Sequence, residues 1–371
     1  MSMTVGGQVV IEGVMIRTPG SMAVAVRRAD GRIEIRDEPW RGLAARFKFL
    51  RAPFLRGGLV LAESMHNGMS ALSWAAERME ADEAAKAAAE AGEEVPEQTA
   101  AGSAAIAGTM AFSLALAFGL FIALPHGLAL LGGKVLGVSA LDGTTPLFHA
   151  VAGGLKLCVL LGYLWGISRL PDVRRVFQYH GAEHKAIYTW EANEPLDIAH
   201  AQAHTRLHPR CGTSFLFIVI ITSILVFTLA FSAVSLPIEN RILHQLALVG
   251  LKLPLMFPIA GLAYEFQRLS SKFPESPLIK PFIFPGLMLQ HITTQEPDDA
   301  QVEVALVSLK AALAHEAAFT GKSRLVNDEV SASGEPANLA ELPPERTERF
   351  VANVDEVDYA DPRPVELAAA E

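Results

Sequence analysis

The stretch SFLFIVIITSILVFTLAFSAVSL, residues 214–236, carries no charged side chain. A run of that length is long enough to cross a hydrocarbon core of about 30 Å as a helix, and it sets the fold class as mainly α, a polytopic helical membrane protein. Working outward, 103–124 is equally free of charge, whereas 146–168 and 241–266 each hold one lysine near mid-span, Lys156 and Lys252. A central lysine costs about 2.5–3.5 kcal/mol on insertion scales, which two otherwise apolar spans can absorb. The spacing therefore predicts four transmembrane helices. The composition agrees: 51% of the residues are hydrophobic and 19% charged, with a mean hydropathy of +0.29.

The four spans read as two duplicated hairpins. GLKL occurs at 154–157 and 250–253, FSLALAF at 112 is echoed by FTLAF at 227, and both halves run on to an Arg-Leu at Arg169 and Arg268. Parallel repeats of one hairpin explain these matches, though short matches in Leu-rich sequence also arise by chance. Arg17, Arg27, Arg28, Arg41, Arg46, Arg51 and Arg56 precede the first span. Arg169, Arg174, Arg175, Lys185, Arg206 and Arg210 fill the central loop, while the other connections offer only Lys134 and Arg241. By the positive-inside rule both termini and the central loop face the cytoplasm, with the chain multi-pass in the inner, plasma membrane. The N-terminus lacks the basic start and apolar core of a signal peptide, so insertion relies on internal segments.

The net charge of −9 is uneven, acidic over 77–97 and in the tail, basic over 17–56; nothing in it favours nucleic acid. Two cysteines, Cys158 and Cys211, exclude a disulfide framework and suit reducing surroundings. Residues 1–58 alternate apolar and polar positions around Gly-Ser and Asp-Gly turns, a small cytoplasmic β-meander. Over 59–102, Leu59, Met65, Met69 and Leu72 fall at helical spacing, which predicts an amphipathic helix on or beside the membrane, followed by an acidic linker. Hairpins at 103–168 and 214–266 flank a polar loop at 169–213. In 267–318, prolines at 274, 277, 281 and 285 predict an irregular interfacial segment, then a helix from Asp298 or Asp299. The tail, 319–371, reads as disordered and acidic.

The chemistry lies in the loop. His180-Gly-Ala-Glu183-His184 fits H-x-x-E-H, which on a helix puts two imidazoles on one face for a metal and a carboxylate beside them as general base. In inverted zinc peptidases a later glutamate completes the set, and Glu265 occupies a comparable place. His208 and Cys211, three apart in RLHPRCGTSF, are a second ligand pair. Together with His180 and His184 they make a closed, structural zinc site in which Glu183 is idle; three ligands with an open position make a catalytic one. The plainer alternative is a loop whose histidines only hydrogen-bond. His200 and His204 rank below these. Glu63 with His66 forms a lone E-x-x-H, better read as a polar helix face. Glu12 is either an exposed strand residue or a carboxylate reaching the site. Lys156 and Lys252 either bind an anionic group or snorkel, and His149 and His244 read as satisfied interfacial histidines. Walker, Rossmann and G-x-S-x-G patterns are absent.

GGQVVIEGVMIR, RGGLVLAES, FQYHGAEHKAIYTWE, LHPRCGTSFL, YEFQRL and LQHITTQEPDDAQVEVAL, in that order, resemble the YqhQ-type family of bacterial multi-pass membrane proteins, over 6–313. The resemblance implies a metal-dependent enzyme of unknown reaction, and marks Glu12, Glu63, His180, Glu183, His184, His208, Arg210, Cys211 and Glu265. The acidic insert before the first span and the extended tail depart from the pattern. The expected function is a metal-dependent, zinc-type hydrolase at the cytoplasmic membrane face. In it Glu183 activates water, Arg210 stabilises negative charge, and the substrate is a membrane protein or a lipid-linked ester. The alternative is a non-enzymatic membrane scaffold with a structural metal. A transporter using Lys156 and Lys252 comes third and requires a homo-oligomer, since four spans are few.

Overall fold

The computed structural model describes residues 5–40, 42–43, 47, 52–92, 108, 112–138, 145–231, 240–273, 276–333 and 347–357. Strands β1 (Gly6–Val10), β2 (Gly13–Arg17), β3 (Ser21–Arg27) and β4 (Ile33–Pro39) form the expected antiparallel meander. A fifth strand, β5 (Thr347–Val351), extends it on β4, so the sheet order is β1-β2-β3-β4-β5. The tail is therefore not disordered throughout, a correction to the composition-based reading.

The sheet is covered on both faces, which is why β3 is buried along nearly its whole length. Its period-two alternation sends Val14, Ile16, Ala23 and Ala25 to one side and Met15, Met22, Val24 and Val26 to the other. The first side meets helix α9 (Asp299–Ser333), whose residues from Val302 to Leu313 are buried almost all round, as a helix enclosed by partners must be. Ser21 Oγ donates to the Ala312 carbonyl at 2.7 Å and Ser308 Oγ to the Ala23 carbonyl at 3.1 Å. The second side meets Ala71, Trp74 and Ala75 of helix α1 (Leu55–Ala91).

Helix α1 overturns one expectation, since it runs unbroken to Ala91, where an acidic linker was predicted. Its Met65, Met69 and Leu72 stripe faces outward while the small residues face inward. Gly57 packs so tightly on helix α7 (Arg241–Lys272) that a Cβ there would meet Tyr264 Cβ at 2.6 Å.

Three helices are long and apolar enough to cross a membrane among the described residues: α2 (Phe112–Leu136), α3 (Pro146–Ile167) and α6, which begins at Gly212. The expected fourth span forms a helix, α7, but is not among them. Its last turns, through Glu265, Arg268 and Lys272, are polar. The first span also ends later than predicted, since α2 continues through Pro125 to Leu136, while most of 103–111 lies outside the described residues. A π-helical turn at Gly119–Ala123 widens the backbone before the proline, where its ring and missing N–H would disturb a regular turn.

Between α3 and α6 lie helix α4 (Pro171–Glu191) and the short α5 (Ile198–Ala203). The interfacial segment contains a helix, α8 (Lys280–Thr293), in which Pro281 occupies the first turn, where no donor is needed, and Pro285 lies in the interior. Arg41, Arg46 and Arg51, the linker residues 93–102, and 358–371 lie outside the described residues.

Candidate metal centre

His180, Glu183 and His184 lie on one face of α4, as the i, i+3, i+4 spacing requires. That helix starts at Pro171, well before the motif, and runs through Gly181. A Cβ on Gly181 would sit 2.2 Å from the Gln295 carbonyl, so the glycine serves a close crossing of chain and not a helix start. Cys211 arrives from the residue before α6, placing its thiol where a candidate span meets the α4 layer.

One donor atom from each of His180, His184 and Cys211 lies within 4.8 Å of the others. The orientation of both rings is fixed from behind. His180 Nδ1 lies 2.8 Å from the Thr293 carbonyl and His184 Nδ1 lies 2.5 Å from the Arg206 carbonyl. A carbonyl only accepts, so each Nδ1 carries the proton and each Nε2 presents a lone pair; His180 Nε2 points at Cys211 Sγ, 3.2 Å away. Backbone carbonyls holding Nδ1–H is the usual support of a ligating histidine, and two imidazoles with a thiol suit zinc and similar ions. Burial lowers the pKa of His184, which keeps its lone pair available, against the opposing hydrogen bond to Cys211.

Glu183 is buried beneath β1. Its Oε1 occupies the space where a Cβ of Gly7 would be, 2.4 Å away, so only glycine leaves room for it. Burial raises its pKa, against the attraction of His180 and His208 and a hydrogen bond from the Gly7 N–H. The carboxyl, His180, His184, Cys211, His208 and Arg210 all line one cavity of about 480 Å³, which is also walled by Val5 to Val9 of the N-terminal edge, with Arg17 and Asn67.

His208 is close to the three-atom cluster but is not part of it. Its Nδ1 accepts from the Arg210 N–H at 3.2 Å, which leaves the hydrogen on Nε2. Burial holds its pKa at about 4, so the ring is neutral and its 3.5 Å approach to Glu191 is no ion pair. Nε2 is buried without a hydrogen-bond partner. Arg210 itself is ion-paired with Glu191.

The other predicted residues lie elsewhere. Glu265 is held by Arg56, whose Nε donates to Oε1 at 2.6 Å, and joins α7 to the start of α1, far from the ligand role expected of it. Glu12, at positive φ in the β1–β2 turn, takes Arg175 Nη2 at 2.6 Å and the Tyr179 hydroxyl at 3.2 Å, fastening the sheet to α4. Glu63 accepts from the Leu43 N–H. His200 pairs with Asp197 and His204 with Glu194, each at 2.8 Å. Lys156 and Lys252 line a separate cavity.

Gln290 escaped the sequence reading. Its side chain accepts from the His208 N–H at 2.8 Å and donates to the His208 carbonyl at 2.7 Å and to Ser214 Oγ at 3.0 Å, locking the His208 turn to α6 and α8. A glutamine at the end of an apolar helix, in GLMLQHITTQ, is the signal that was available.

A family described as "Protein of unknown function (DUF1385)" matches residues 52–315, which takes in the whole cluster. The chain is also similar to "Uncharacterized protein YqhQ" of Bacillus subtilis (strain 168). The two are 34% identical over 322 residues, covering 84% of this chain and 93% of that one. No solved structure matches the chain.

Proposed function

We propose that this chain, which belongs to the DUF1385 family, is a metal-dependent hydrolase of the membrane whose site faces the cytoplasm. The carrying observation is the convergence of His180, His184 and Cys211 donor atoms within 4.8 Å beside buried Glu183, at the wall of a 480 Å³ cavity. Three ligands with the fourth candidate, His208, turned aside favour an open site over a structural staple. When bound there, a divalent ion, zinc best fitting the donors, supplies Lewis acidity and makes water easier to deprotonate.

The chain's own groups supply the rest. Glu183 takes the proton from the attacking water and delivers it to the leaving group; its raised pKa brings it nearer to neutrality, where a proton shuttle works best. The neutral His208, which lines the same cavity with its hydrogen on Nε2, donates to the developing negative charge. It replaces Arg210 in that role, because Glu191 already engages the guanidinium. β1 is an edge strand whose residues wall the cavity, and an edge offers backbone groups to an extended chain. This favours a membrane-protein peptide over a lipid-linked ester as substrate. Cys211 of the cluster adjoins the start of α6, and the surrounding loop is the most basic connection, which supports a cytoplasmic position next to the bilayer.

The test is elemental analysis of detergent-purified protein with a cleavage assay on a vesicle-embedded reporter peptide. Near one divalent ion per chain is expected, lost in His184→Ala and Cys211→Ser, kept in Glu183→Gln, whose cleavage falls by at least 100-fold. Wild-type protein without metal, or a Glu183→Gln variant that cleaves normally, sinks the proposal.

A further inference from the structure

The cavity at the candidate cluster continues round the edge of the sheet. The Cβ position of Gly7 points toward α4, where Glu183 fills that space, and Val5 and Val9, two residues to either side, pack on the α9 face of β1. Gly6 and Gln8 alternate to the other face, that of α1, with Val10 and Met15. Gly6 pairs with Arg17 of β2, and residues directly opposite on antiparallel strands share a face, so Arg17 stands on the α1 side. A Cβ on Gly6 would meet nothing within 4 Å. Two glycines at the strand edge thus leave one continuous space, with Glu183 and the cluster on one side and Arg17 and Asn67 on the other.

Arg17 is half-buried there. Its guanidinium lies over the Trp40 ring, 4.5 Å from the centroid, and makes no hydrogen bond or ion pair among the described residues. Burial lowers its pKa, against the attraction of Glu63 and Tyr264, neither of which it bonds. Glu63 does not line the cavity and accepts from the Leu43 N–H instead. Asn67 lines the same wall from α1; it is 4% exposed, and its Nδ2 is buried without a hydrogen-bond partner. Arg210, the other arginine of the cavity, already holds Glu191. A buried amide donor without an acceptor costs stability, and a guanidinium offers five donors and accepts nothing. Together the two side chains present donors and a positive charge with no bonded acceptor, which leaves the acceptor to a ligand.

We propose that the α1 side of the cavity is a specificity subsite in which Arg17 and Asn67 bind a carboxylate of the substrate. This rests on the reading of β1 as the strand that docks an extended peptide. A peptide added to an edge strand sends alternate side chains to opposite faces, so while one residue faces Glu183 and the cluster, its neighbours face Arg17. One guanidinium beside a neutral amide balances a single negative charge, and its fork matches a carboxylate. The carboxylate belongs either to an Asp or Glu side chain or to the end of the substrate chain.

The experiment is fluorescence anisotropy of the detergent-purified full chain with labelled octapeptides of alternating Ser and Val. They carry one Glu at each position in turn, or Gln in its place, and end in an amide or a free carboxylate. Wild type is expected to bind a Glu peptide, or the free end, about tenfold tighter or more than its neutral counterpart. Arg17→Gln loses that preference, Arg17→Lys keeps most of it, and Asn67→Ala weakens it. Arg17→Glu turns the preference toward the same peptides with Lys, which a merely structural role would not do. Preference for Glu assigns the carboxylate to an acidic side chain; preference for the free end assigns it to the chain terminus. Wild type that binds charged and neutral peptides alike, or an Arg17→Gln variant that keeps the preference, overturns the proposal. Should the Arg17 variants fail to fold, equal preference in wild type and Asn67→Ala overturns it instead. Binding is read without cleavage and in Glu183→Gln protein as well, so the subsite stands or falls apart from the hydrolase reading.

Discussion

Glu183 and His208 are both buried polar groups next to the cluster, and burial moves their protonation in opposite directions. For His208 the folded-state pKa, about 4, lies below the ordinary 6.5. The unfolded chain therefore binds more protons between those values, and stability falls as pH drops from about 6.5 toward 4. Metal-free His208→Gln protein is expected to lose that part of the acid limb in a pH series of thermal melts; an unchanged limb refutes the assignment. Glu183 carries a burial cost that a neutral amide avoids, so metal-free Glu183→Gln at neutral pH should melt a few degrees above wild type, worth roughly 1–2 kcal/mol, as functional groups often cost stability. A lower melting point would mean that the ionised carboxylate holds β1 in place. Glu265 supplies the contrasting case. Arg56 binds its carboxylate, so Glu265→Gln should leave metal stoichiometry unchanged, and loss of metal in that variant would return it to the ligand set.

At the level of elements, the cluster depends on close crossings that only glycine permits. Gly181→Ala places a Cβ 2.2 Å from the Gln295 carbonyl, which forces α4 and the strand-like 294–297 segment apart at a cost of about 1–3 kcal/mol. Gly154→Ala in α3 meets nothing within 4 Å and is the control. Gly181→Ala should lower both melting temperature and metal content while Gly154→Ala changes neither; equal behaviour of the two would show that the crossing is loose. The same crossings mark where sequence reading succeeds and where it fails. His180, Glu183 and His184 were legible because a helix forces i, i+3 and i+4 together, and the uncharged spans because nothing else explains such runs. Gly181 is a poor helix former by propensity, which sees only the local backbone and not the Gln295 carbonyl that requires it. Met65, Met69 and Leu72 marked α1 by their helical spacing, yet its tight side is Gly57, Gly58, Ala71 and Ala75, whose small size lets α7 and the sheet approach. Glu265 was placed by its position in the chain; its partner, Arg56, lies 209 residues away and leaves no local trace.

Across the whole molecule, the candidate metal centre is assembled from four distant stretches: the N-terminal edge strand, α4, the turn before α6, and the end of α8. The sheet that supplies the first of these is itself closed by the tail. β5 pairs with β4 from Ile33↔Val351 to Asp37↔Thr347, and Arg349 reaches Asp37 at 2.7 Å while Arg78 of α1 reaches Glu348 at 2.7 Å. Composition hid this strand, since five residues, TERFV, stand in an acidic, Ala- and Pro-rich tail that argues for disorder. A chain truncated after Ser333 turns β4 into an unpaired edge and leaves Asp37 without its arginine, so amide exchange should quicken across Ile33–Pro39 and the protein should melt lower. β1 is at the opposite edge of the sheet, three strands from β4, so exchange at the Gly7 amide and the metal content are expected to hold. Exchange measured on full-length and truncated protein in the same detergent separates the outcomes. Faster exchange confined to β4 supports a tail that seals one edge, whereas loss of metal on truncation would mean that β5 sets the position of β1 through the whole sheet.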